Sequence, residues 1–201
     1  MAHYYDNEPL VASKEHEICF ELNSVKFSLI TDNGVFSKKR VDEGSFAFLK
    51  TVLPLSLGKK ILDLGAGYGT IGLVLAYFHK EARVDLADIN TRALALCEKN
   101  ALRLGVRDRI TCLHSDIYQN VEGPYDSIVV NPPIRAGKVV TYAMYDGAKQ
   151  YLIDGGSLFV VIRKAQGAES VRKYLQELFG NCELLDRHKG YHILQAKKVD
   201  K

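Results

Sequence analysis

The segment Asn131-Pro132-Pro133-Ile134 has the residue types of a rigid site that accepts hydrogen bonds. It follows the apolar run 127–130, where a strand is expected to end. Proline has a fixed φ and no N–H, and it also keeps the residue before it out of the helical region. The Asn131 side chain and the carbonyl groups of Asn131 and Pro132 therefore remain as stiff acceptors, which suit an amino group with two N–H bonds to donate. Asn-Pro is also ordinary turn chemistry, so the segment alone is equally consistent with a simple strand end.

A second chemically informative segment is Gly65-Ala66-Gly67-Tyr68-Gly69-Thr70, which follows the short apolar pattern 60–64. Glycines at alternate positions allow a tight turn and a close ligand, and the helix start behind them offers unpaired N–H groups. The predicted ligand of this loop is a nucleotide-like cofactor. The spacing Gly-x-Gly-x-Gly, with Asp63 two residues before it, differs from the Gly-x-Gly-x-x-Gly that binds a pyrophosphate. That difference favours S-adenosylmethionine over NAD.

Two further acids follow predicted strands. Asp88 ends the strand pattern 83–87, where a carboxylate can bind both hydroxyl groups of a ribose. Asp116 follows the next strand, where an acceptor could meet an adenine amine, although a turn residue is an alternative interpretation. Because the carboxyl ends of parallel strands meet at one edge of the sheet, these acids and Asn131 are expected to converge on one cleft.

In order and spacing, Asp63-Leu-Gly-Ala-Gly-Tyr-Gly, Asp88, Ser115-Asp116 and Asn131-Pro-Pro-Ile resemble the class I S-adenosylmethionine-dependent methyltransferases. The resemblance spans residues 27–197. Gly34-Val35-Phe36-Ser37 followed by Asp42-Glu43-Gly44-Ser45 is similar to the segment that precedes the fold in the RsmC-like "small domain" enzymes. Those enzymes methylate the exocyclic amine of guanine in ribosomal RNA, so the resemblance implies a stand-alone, single-domain enzyme that acts on ribosomal RNA or a ribosomal subunit.

The resemblance also implies a set of site residues. The catalytic segment would be Asn131, Pro132, Pro133 and Ile134. The S-adenosylmethionine site would comprise Asp63, Gly65, Ala66, Gly67, Gly69, Asp88, Ile89, Asn90, Ser115, Asp116, Ile117 and Asn131. The predicted substrate contacts are Phe36, Lys38, Arg135 and Lys138.

Relatives that act on planar amines often have an aromatic residue after the prolines, where this chain has Ile134. Base stacking would then come from elsewhere, with Phe36 and Tyr68 as candidates. Phe36 could equally be a packing residue, whereas Tyr68 is expected to pack on the cofactor side instead. The net charge is only +3, which by itself does not indicate nucleic-acid binding. Three basic clusters are expected to rim the cleft and contact phosphates: Lys38-Lys39-Arg40, Arg135 with Lys138, and Arg163-Lys164.

Composition limits the class of protein. A chain of 201 residues, 47% of them hydrophobic, can form one substantial core. No apolar stretch is long enough for a membrane span and the first twenty residues are polar, so a cytoplasmic protein is expected. The four cysteines are scattered and match no metal-ligand spacing, so neither disulfides nor a metal is expected. A monomer or small homo-oligomer is predicted, with an N-terminal extension (1–41) whose β-hairpin packs on a methyltransferase domain (42–201).

The pattern of elements alternates between strand and helix after an initial hairpin. Asp42 is expected to cap the first helix, and Gly155-Gly156 to stop the fourth. Strands are predicted at 18–22, 25–30, 60–64, 83–87, 109–113, 126–130, 157–162, 182–187 and 191–197, and helices at 43–53, 69–79, 91–104, 139–153 and 168–179. The family resemblance supplies the topology, an α/β Rossmann-like, doubly wound, seven-stranded sheet with a reversed terminal hairpin.

Three other functions fit parts of the pattern. A HemK-like protein-glutamine methyltransferase also uses Asn-Pro-Pro, but it has Tyr at the position of Ile134 and a helical N-terminal domain. A catalytically silent domain that keeps the cofactor pocket and binds RNA or a protein partner is an alternative, against which the intact Asn131 and the intact glycines argue. An NAD-dependent dehydrogenase fits the glycine spacing least well.

Overall fold

In the computed structural model, the described residues are 12–35, 41–133 and 136–199. Within them the helices are α1 (Glu43–Val52), α2 (Thr70–Phe78), α3 (Thr91–Arg103), α4 (Lys138–Tyr151) and α5 (Ala168–Phe179). The strands are β1 (His16–Leu22), β2 (Val25–Thr31), β3 (Lys60–Leu64), β4 (Arg83–Asp88), β5 (Ile110–His114), β6 (Tyr125–Val130), β7 (Leu152–Arg163), β8 (Glu183–His188) and β9 (Tyr191–Lys197).

The main sheet has seven strands in the order β5-β4-β3-β6-β7-β9-β8. Strands β3 to β7 pair in parallel, whereas β9 is antiparallel to both β7 and β8. The predicted doubly wound sheet with a reversed terminal hairpin is therefore confirmed. Its central strands are buried on both faces, as expected where helices cover both sides of a parallel sheet.

Each face of the sheet has its own apolar core. On one face, Ile61 and Val129 pack in a cluster with residues of α1 and α2, such as Phe48 and Leu73. On the other face, Leu62, Val130 and neighbouring residues pack against α4 and α5. Burying an aliphatic or Phe side chain is worth about 1.5–3 kcal/mol, so both faces hold the strand ends in place.

The N-terminal hairpin β1–β2 packs on the helices of the first face. Its Phe27 is 1% exposed and lies with its ring centroid 5.1 Å from that of Tyr77 and 5.9 Å from that of Phe78. The side chain of Asn100 in α3 accepts a hydrogen bond from the Ile30 N–H in β2 and donates one to the Ile30 carbonyl. The division into an extension and a domain at residue 41 stays a prediction.

Helix starts follow the capping rules. The Asp42 carboxylate accepts a bond of 2.9 Å from the Ser45 N–H, as predicted, and Asn90 caps α3 through the N–H groups of Arg92 and Ala93. Helix α5 ends at Gly180, whose φ is 79°.

The predicted end of α4 is wrong. The helix stops at Tyr151, and β7 begins at Leu152 and contains both glycines. Gly155 has a φ of 80°, and the backbone groups of Gly155 and Gly156 bond to Lys198 at 2.7 and 2.9 Å. The glycines therefore form an irregular strand segment next to the register shift in β6, between Tyr125 and Ser127, rather than a helix stop.

No helix in the described part of the chain is both long and apolar enough to cross a membrane.

Candidate active site

The carboxyl ends of β3, β4 and β6 lie side by side. Leu64 pairs with Ala87 on one side and with Val130 on the other, so the residues that follow these strands are neighbours. The chain moves outward from β3 to β4 and β5, then returns to place β6 on the opposite side of β3. Such a reversal of strand order opens a crevice at the carboxyl ends, where α/β proteins bind their ligands.

The glycine loop lies at this crevice. Gly65, Gly67 and Gly69 have φ values of 79°, 58° and 92°, which side chains rarely allow. The loop is closed by bonds from the Gly65 N–H to the Ala87 carbonyl (2.8 Å) and from the Gly69 N–H to the Ala66 carbonyl (2.9 Å). A Cβ at Gly69 would lie 2.6 Å from Leu73 Cδ1, so the backbone runs close to α2. The loop therefore presents backbone and a helix start to a ligand.

Asp63 is buried beneath this loop. It is 2% exposed, and its Oδ2 accepts a bond of 2.7 Å from the Gly72 N–H in α2. Burial, together with the nearby Asp88 carboxylate, raises the pKa of Asp63 to about 7. Its visible role is to tie β3 to the start of α2.

Asp88 faces the other side of the loop. Its Oδ2 accepts from the Gly67 N–H and its Oδ1 from the Asn90 N–H, each at 2.8 Å. Burial raises the pKa of Asp88, while those backbone bonds act in the opposite direction. A carboxylate has about four acceptor positions, and the backbone bonds to Asp88 do not use all of them, so capacity remains for a hydroxyl group of a ribose.

Two predicted cofactor residues use their side chains for the fold. Asn90 caps α3 with Oδ1 and donates from Nδ2 to the Gly34 carbonyl (3.1 Å). Ser115 Oγ donates to the Ile117 carbonyl and accepts from the Asn120 N–H. These side chains shape the loops, so any ligand contact at the two positions would come from the backbone.

The exposed Asp116 follows β5 at the same edge of the sheet, and Ile117 is held at a φ of 51°. The Ile89 carbonyl bonds to Nε2 of His114 at 3.0 Å. The backbone geometry thus brings the predicted cofactor residues of β3, β4, β5 and β6 to one edge.

Asn131 is held by the start of α1. Its Nδ2 lies 3.0 Å from Ser45 Oγ and 3.2 Å from Asp42 Oδ1. Pro132 is buried, and the Pro133 carbonyl accepts a hydrogen bond of 2.8 Å from the Ala136 N–H. Sequence reasoning gave Asp42 only a capping role and gave Ser45 none. The one available signal was that both belong to the Asp42-Glu43-Gly44-Ser45 motif of the family resemblance.

Tyr191 of β9 also lies at the start of α1. A Cβ at Gly44 would be 2.8 Å from Tyr191 Cε1 and 3.0 Å from Asp42 Oδ1, and the Arg163 guanidinium lies 5.9 Å from the ring centroid. Burial and the nearby Asp42 carboxylate raise the pKa of Tyr191. Gly44 and Tyr191 are far apart in the sequence, so no local pattern could predict their contact.

The predicted substrate contacts are only partly described. Phe36, Lys38, Ile134 and Arg135 lie outside the described residues. Lys138 is exposed at the start of α4, and Arg163, the last residue of β7, and Lys164 are both exposed. Arg163 and Lys164 therefore lie at the carboxyl end of β7, the neighbour of β6 in the sheet, and Lys138 begins the helix that comes after β6.

Tyr68 does not offer an open stacking surface. It is 3% exposed and belongs to an apolar cluster with Ile18, Leu29 and Leu96. Of the two interpretations, packing is the correct one for this residue.

Among the described residues, no group of three or more His, Cys, Asp or Glu side chains is arranged to hold a metal ion.

Comparison with known proteins identifies relatives over most of the chain. Residues 26–195 match the family model "Methyltransferase small domain". The chain is 40% identical to "Uncharacterized protein YbxB" of Bacillus subtilis (strain 168) over 98% of both chains. It is 35% identical to "Ribosomal RNA small subunit methyltransferase C" of Vibrio vulnificus (strain CMCP6), over 82% of this chain and 48% of that protein.

The fold has a close match among solved structures. A T. thermophilus 16S rRNA N2 G1207 methyltransferase (RsmC) in complex with AdoMet and guanosine aligns with a TM-score of 0.82 and 26% identity. The alignment covers 94% of this chain and 52% of that one. The chain thus spans about half the length of the ribosomal RNA methyltransferases that it matches.

Proposed function

The chain belongs to the methyltransferase small-domain family of S-adenosylmethionine-dependent enzymes, and we propose that it methylates an exocyclic amine of ribosomal RNA, the N2 amine of guanine. The observation that carries this proposal is the register of β3 with β6, which places Asn131 directly beside the glycine loop. A methyl donor bound in the loop would meet an acceptor bound at Asn131.

The residues of the loop suit the methyl donor. The glycine backbone and the start of α2 can enclose a nucleoside, and Asp88 keeps acceptor positions for its ribose. Asp116 follows the neighbouring strand on the side expected for adenine. Bound S-adenosylmethionine supplies a sulfonium methyl, which the amine takes while sulfur keeps the bonding pair and one amine proton leaves to water.

The role of Asn131 follows from the chemistry of an aromatic amine. The nitrogen lone pair of such an amine is delocalised into the ring, so it is a poor nucleophile. If Asn131 Oδ1 and the Pro132 carbonyl each accept one N–H, the nitrogen is drawn towards a tetrahedral arrangement and its lone pair points towards the methyl group. Correct proximity and orientation of the amine and the methyl group can lower the activation barrier by roughly 7–11 kcal/mol. Because this effect does not require the amine to be deprotonated first, we assign no general base.

Two observations support ribosomal RNA as the substrate. The relatives that share 30% identity or more include enzymes named for methylation of small-subunit ribosomal RNA, and the solved neighbour was determined with guanosine. Lys138 begins the helix that comes after β6, and Arg163 and Lys164 lie at the carboxyl end of β7, which is next to β6 in the sheet. Phosphate contacts from these cations would position an RNA without reading its sequence.

The proposal is tested by tritium-labelled methyl transfer to naked ribosomal RNA, each ribosomal subunit and a peptide release factor. Nuclease digestion and mass detection then identify the labelled nucleoside. The expected product is N2-methylguanosine in ribosomal RNA, formed by the wild-type protein and not by Asn131→Ala prepared in the same way. Label in the release factor, or in a nucleoside other than guanosine, would contradict the assignment.

A further inference from the structure

We propose that Asp42 and Ser45 are positioning residues that hold the Asn131 amide in the one orientation that offers its oxygen to the acceptor amine. This inference rests on the function proposed above, because it assigns a task to Asn131 Oδ1. We refer to Asp42, Ser45 and Asn131 together as the amide clasp. Asp42 and Ser45 lie 89 and 86 residues from Asn131 in the chain, so the clasp is a product of the fold.

The clasp fixes which end of the Asn131 amide faces the cleft. An Asn amide nitrogen has two N–H bonds, and Nδ2 has two acceptors within reach, Ser45 Oγ at 3.0 Å and Asp42 Oδ1 at 3.2 Å. An ionised carboxylate only accepts hydrogen bonds, so a flipped amide would set Oδ1 against another acceptor. The pairing with Asp42 therefore selects one flip state and leaves Oδ1 directed away from α1.

The clasp is rigid because it is part of a helix start. Asp42 Oδ1 also accepts the Ser45 N–H at 2.9 Å, and the Asp42 carbonyl accepts the Phe46 N–H at 3.1 Å. Ser45 is 3% exposed, and α1 is anchored in the core by Phe48 and Leu49, which are both fully buried. A side chain locked in this way holds a reacting group more accurately than a free loop does.

The clasp also affects the strength of the acceptor. Hydrogen bonds in a chain polarise one another, so a carboxylate bonded to the amide nitrogen increases the electron density on the amide oxygen. The amine gains positive charge as the new N–C bond forms, and the bond from its N–H to Asn131 Oδ1 strengthens at that moment. Interactions that strengthen in the transition state raise turnover rather than binding.

The test uses variants that separate the clasp from helix capping. Asp42→Ser keeps a capping side chain but is too short to reach Asn131, whereas Asp42→Asn keeps both the cap and an acceptor oxygen. Ser45→Ala removes the second acceptor without altering the cap. Glu43→Gln is the matched control, since Glu43 is the neighbouring acid and pairs with Lys189 at 3.5 Å.

We expect Asp42→Ser and Ser45→Ala to lower kcat at least about 10-fold while the Kd for S-adenosylmethionine stays within about twofold. Asp42→Asn keeps the cap and the acceptor oxygen but not the charge, so it should lose less of kcat than Asp42→Ser, and Glu43→Gln should match the wild type. In an Asn131→Ala background, measured in single turnovers, Asp42→Ser should cause no further loss, because it acts through Asn131. The same proportional loss in both backgrounds would overturn the proposal.

A second measurement needs no RNA and so separates this inference from the proposed function. The two side-chain N–H resonances of Asn131, assigned by their disappearance in Asn131→Ala, should shift and exchange faster with solvent in Asp42→Ser and Ser45→Ala. Resonances unchanged in both variants would overturn the clasp, whatever the wild-type protein methylates. Shifted resonances in a protein that methylates no RNA would support the clasp and contradict only the proposed function.

Discussion

At the scale of single residues, Asp63 makes stability depend on pH. Burial raises the pKa of the Asp63 carboxyl to about 7 in the folded chain, from about 3.8 in the unfolded chain. The folded state therefore retains a proton that the unfolded state releases. Its stabilising contribution is complete below about pH 4 and is lost as the pH rises through about 7.

We predict that the wild-type Tm falls between pH 4 and pH 8 and that Asp63→Asn flattens this dependence, since Asn does not ionise. The amide oxygen of Asn can still accept the Gly72 N–H. Thermal unfolding across this pH range, with the exposed Asp154→Asn as the control, measures the difference. An identical slope in wild type and Asp63→Asn would show that Asp63 does not titrate in this window.

The chemical identity of the site residues was accessible from the sequence, whereas their partners were not. Asp63, Asp88 and Asn131 are recognisable because they lie at or next to the carboxyl ends of apolar strand patterns. The hydrogen bonds from Asn131 to Asp42 and Ser45 depend on how α1 packs against β7 and β9, which no local pattern encodes.

At the scale of elements, the start of α1 depends on close packing at Gly44. An added Cβ would lie 2.8 Å from Tyr191 Cε1, and an aromatic ring edge has little freedom to move away. Alanine is a better helix former than glycine by about 1 kcal/mol, but overpacking typically costs about 1–3 kcal/mol. We therefore predict that Gly44→Ala displaces Asp42 and lowers methyl transfer several-fold.

Initial rates at saturating substrate, compared with the Tm of the same samples, check this expectation. Lys50→Ala, an exposed position of the same helix, is the control for a general effect on α1. Full activity of Gly44→Ala would mean that the helix start tolerates the shift and that its position is not critical.

Most elements could be predicted because their signals are local. Asp42 and Gly180 mark helix ends, and the hairpin around residues 23–24 follows from alternation in its two strands. The prediction of where α4 ends was wrong because two adjacent glycines normally stop a helix. Here they belong to an irregular part of β7 whose backbone is hydrogen-bonded to Lys198. Pairing partners distant in sequence decide such a segment.

At the scale of the whole molecule, Asn100 joins the N-terminal hairpin to the cofactor loop. Its Nδ2 donates to the Ile30 carbonyl (2.9 Å) and the Tyr68 carbonyl (3.0 Å), and its Oδ1 accepts the Ile30 N–H (2.7 Å). The residue is fully buried, so its removal would leave three backbone groups unpaired.

We predict that Asn100→Ala lowers the free energy of unfolding by about 1–3 kcal/mol or more and weakens S-adenosylmethionine binding, because the glycine loop loses support. Urea unfolding and calorimetric titration measure the two effects. Lys99→Ala removes only an exposed ion pair with Glu15 and should have little effect. Unchanged affinity in Asn100→Ala would show that the loop does not rely on the hairpin.

The order of strands was predicted from the family resemblance and not from the pattern itself. Alternating strands and helices indicate a parallel sheet, but several strand orders satisfy the same pattern. The position of β6 beside β3, which brings Asn131 to the glycine loop, is a long-range property of the chain.

The most direct test of the proposed function measures the effect of Asn131→Ala on catalysis and on cofactor binding separately. Asn131→Ala should lower kcat for methyl transfer to ribosomal RNA by roughly 10²–10³-fold, comparable to loss of one oriented polar group in other active sites. The Kd for S-adenosylmethionine should hardly change, and Asn181→Ala, whose Nδ2 bonds to the Lys197 carbonyl away from the crevice, should behave like the wild type. An equal loss of turnover and cofactor affinity in Asn131→Ala would contradict the role assigned to Asn131.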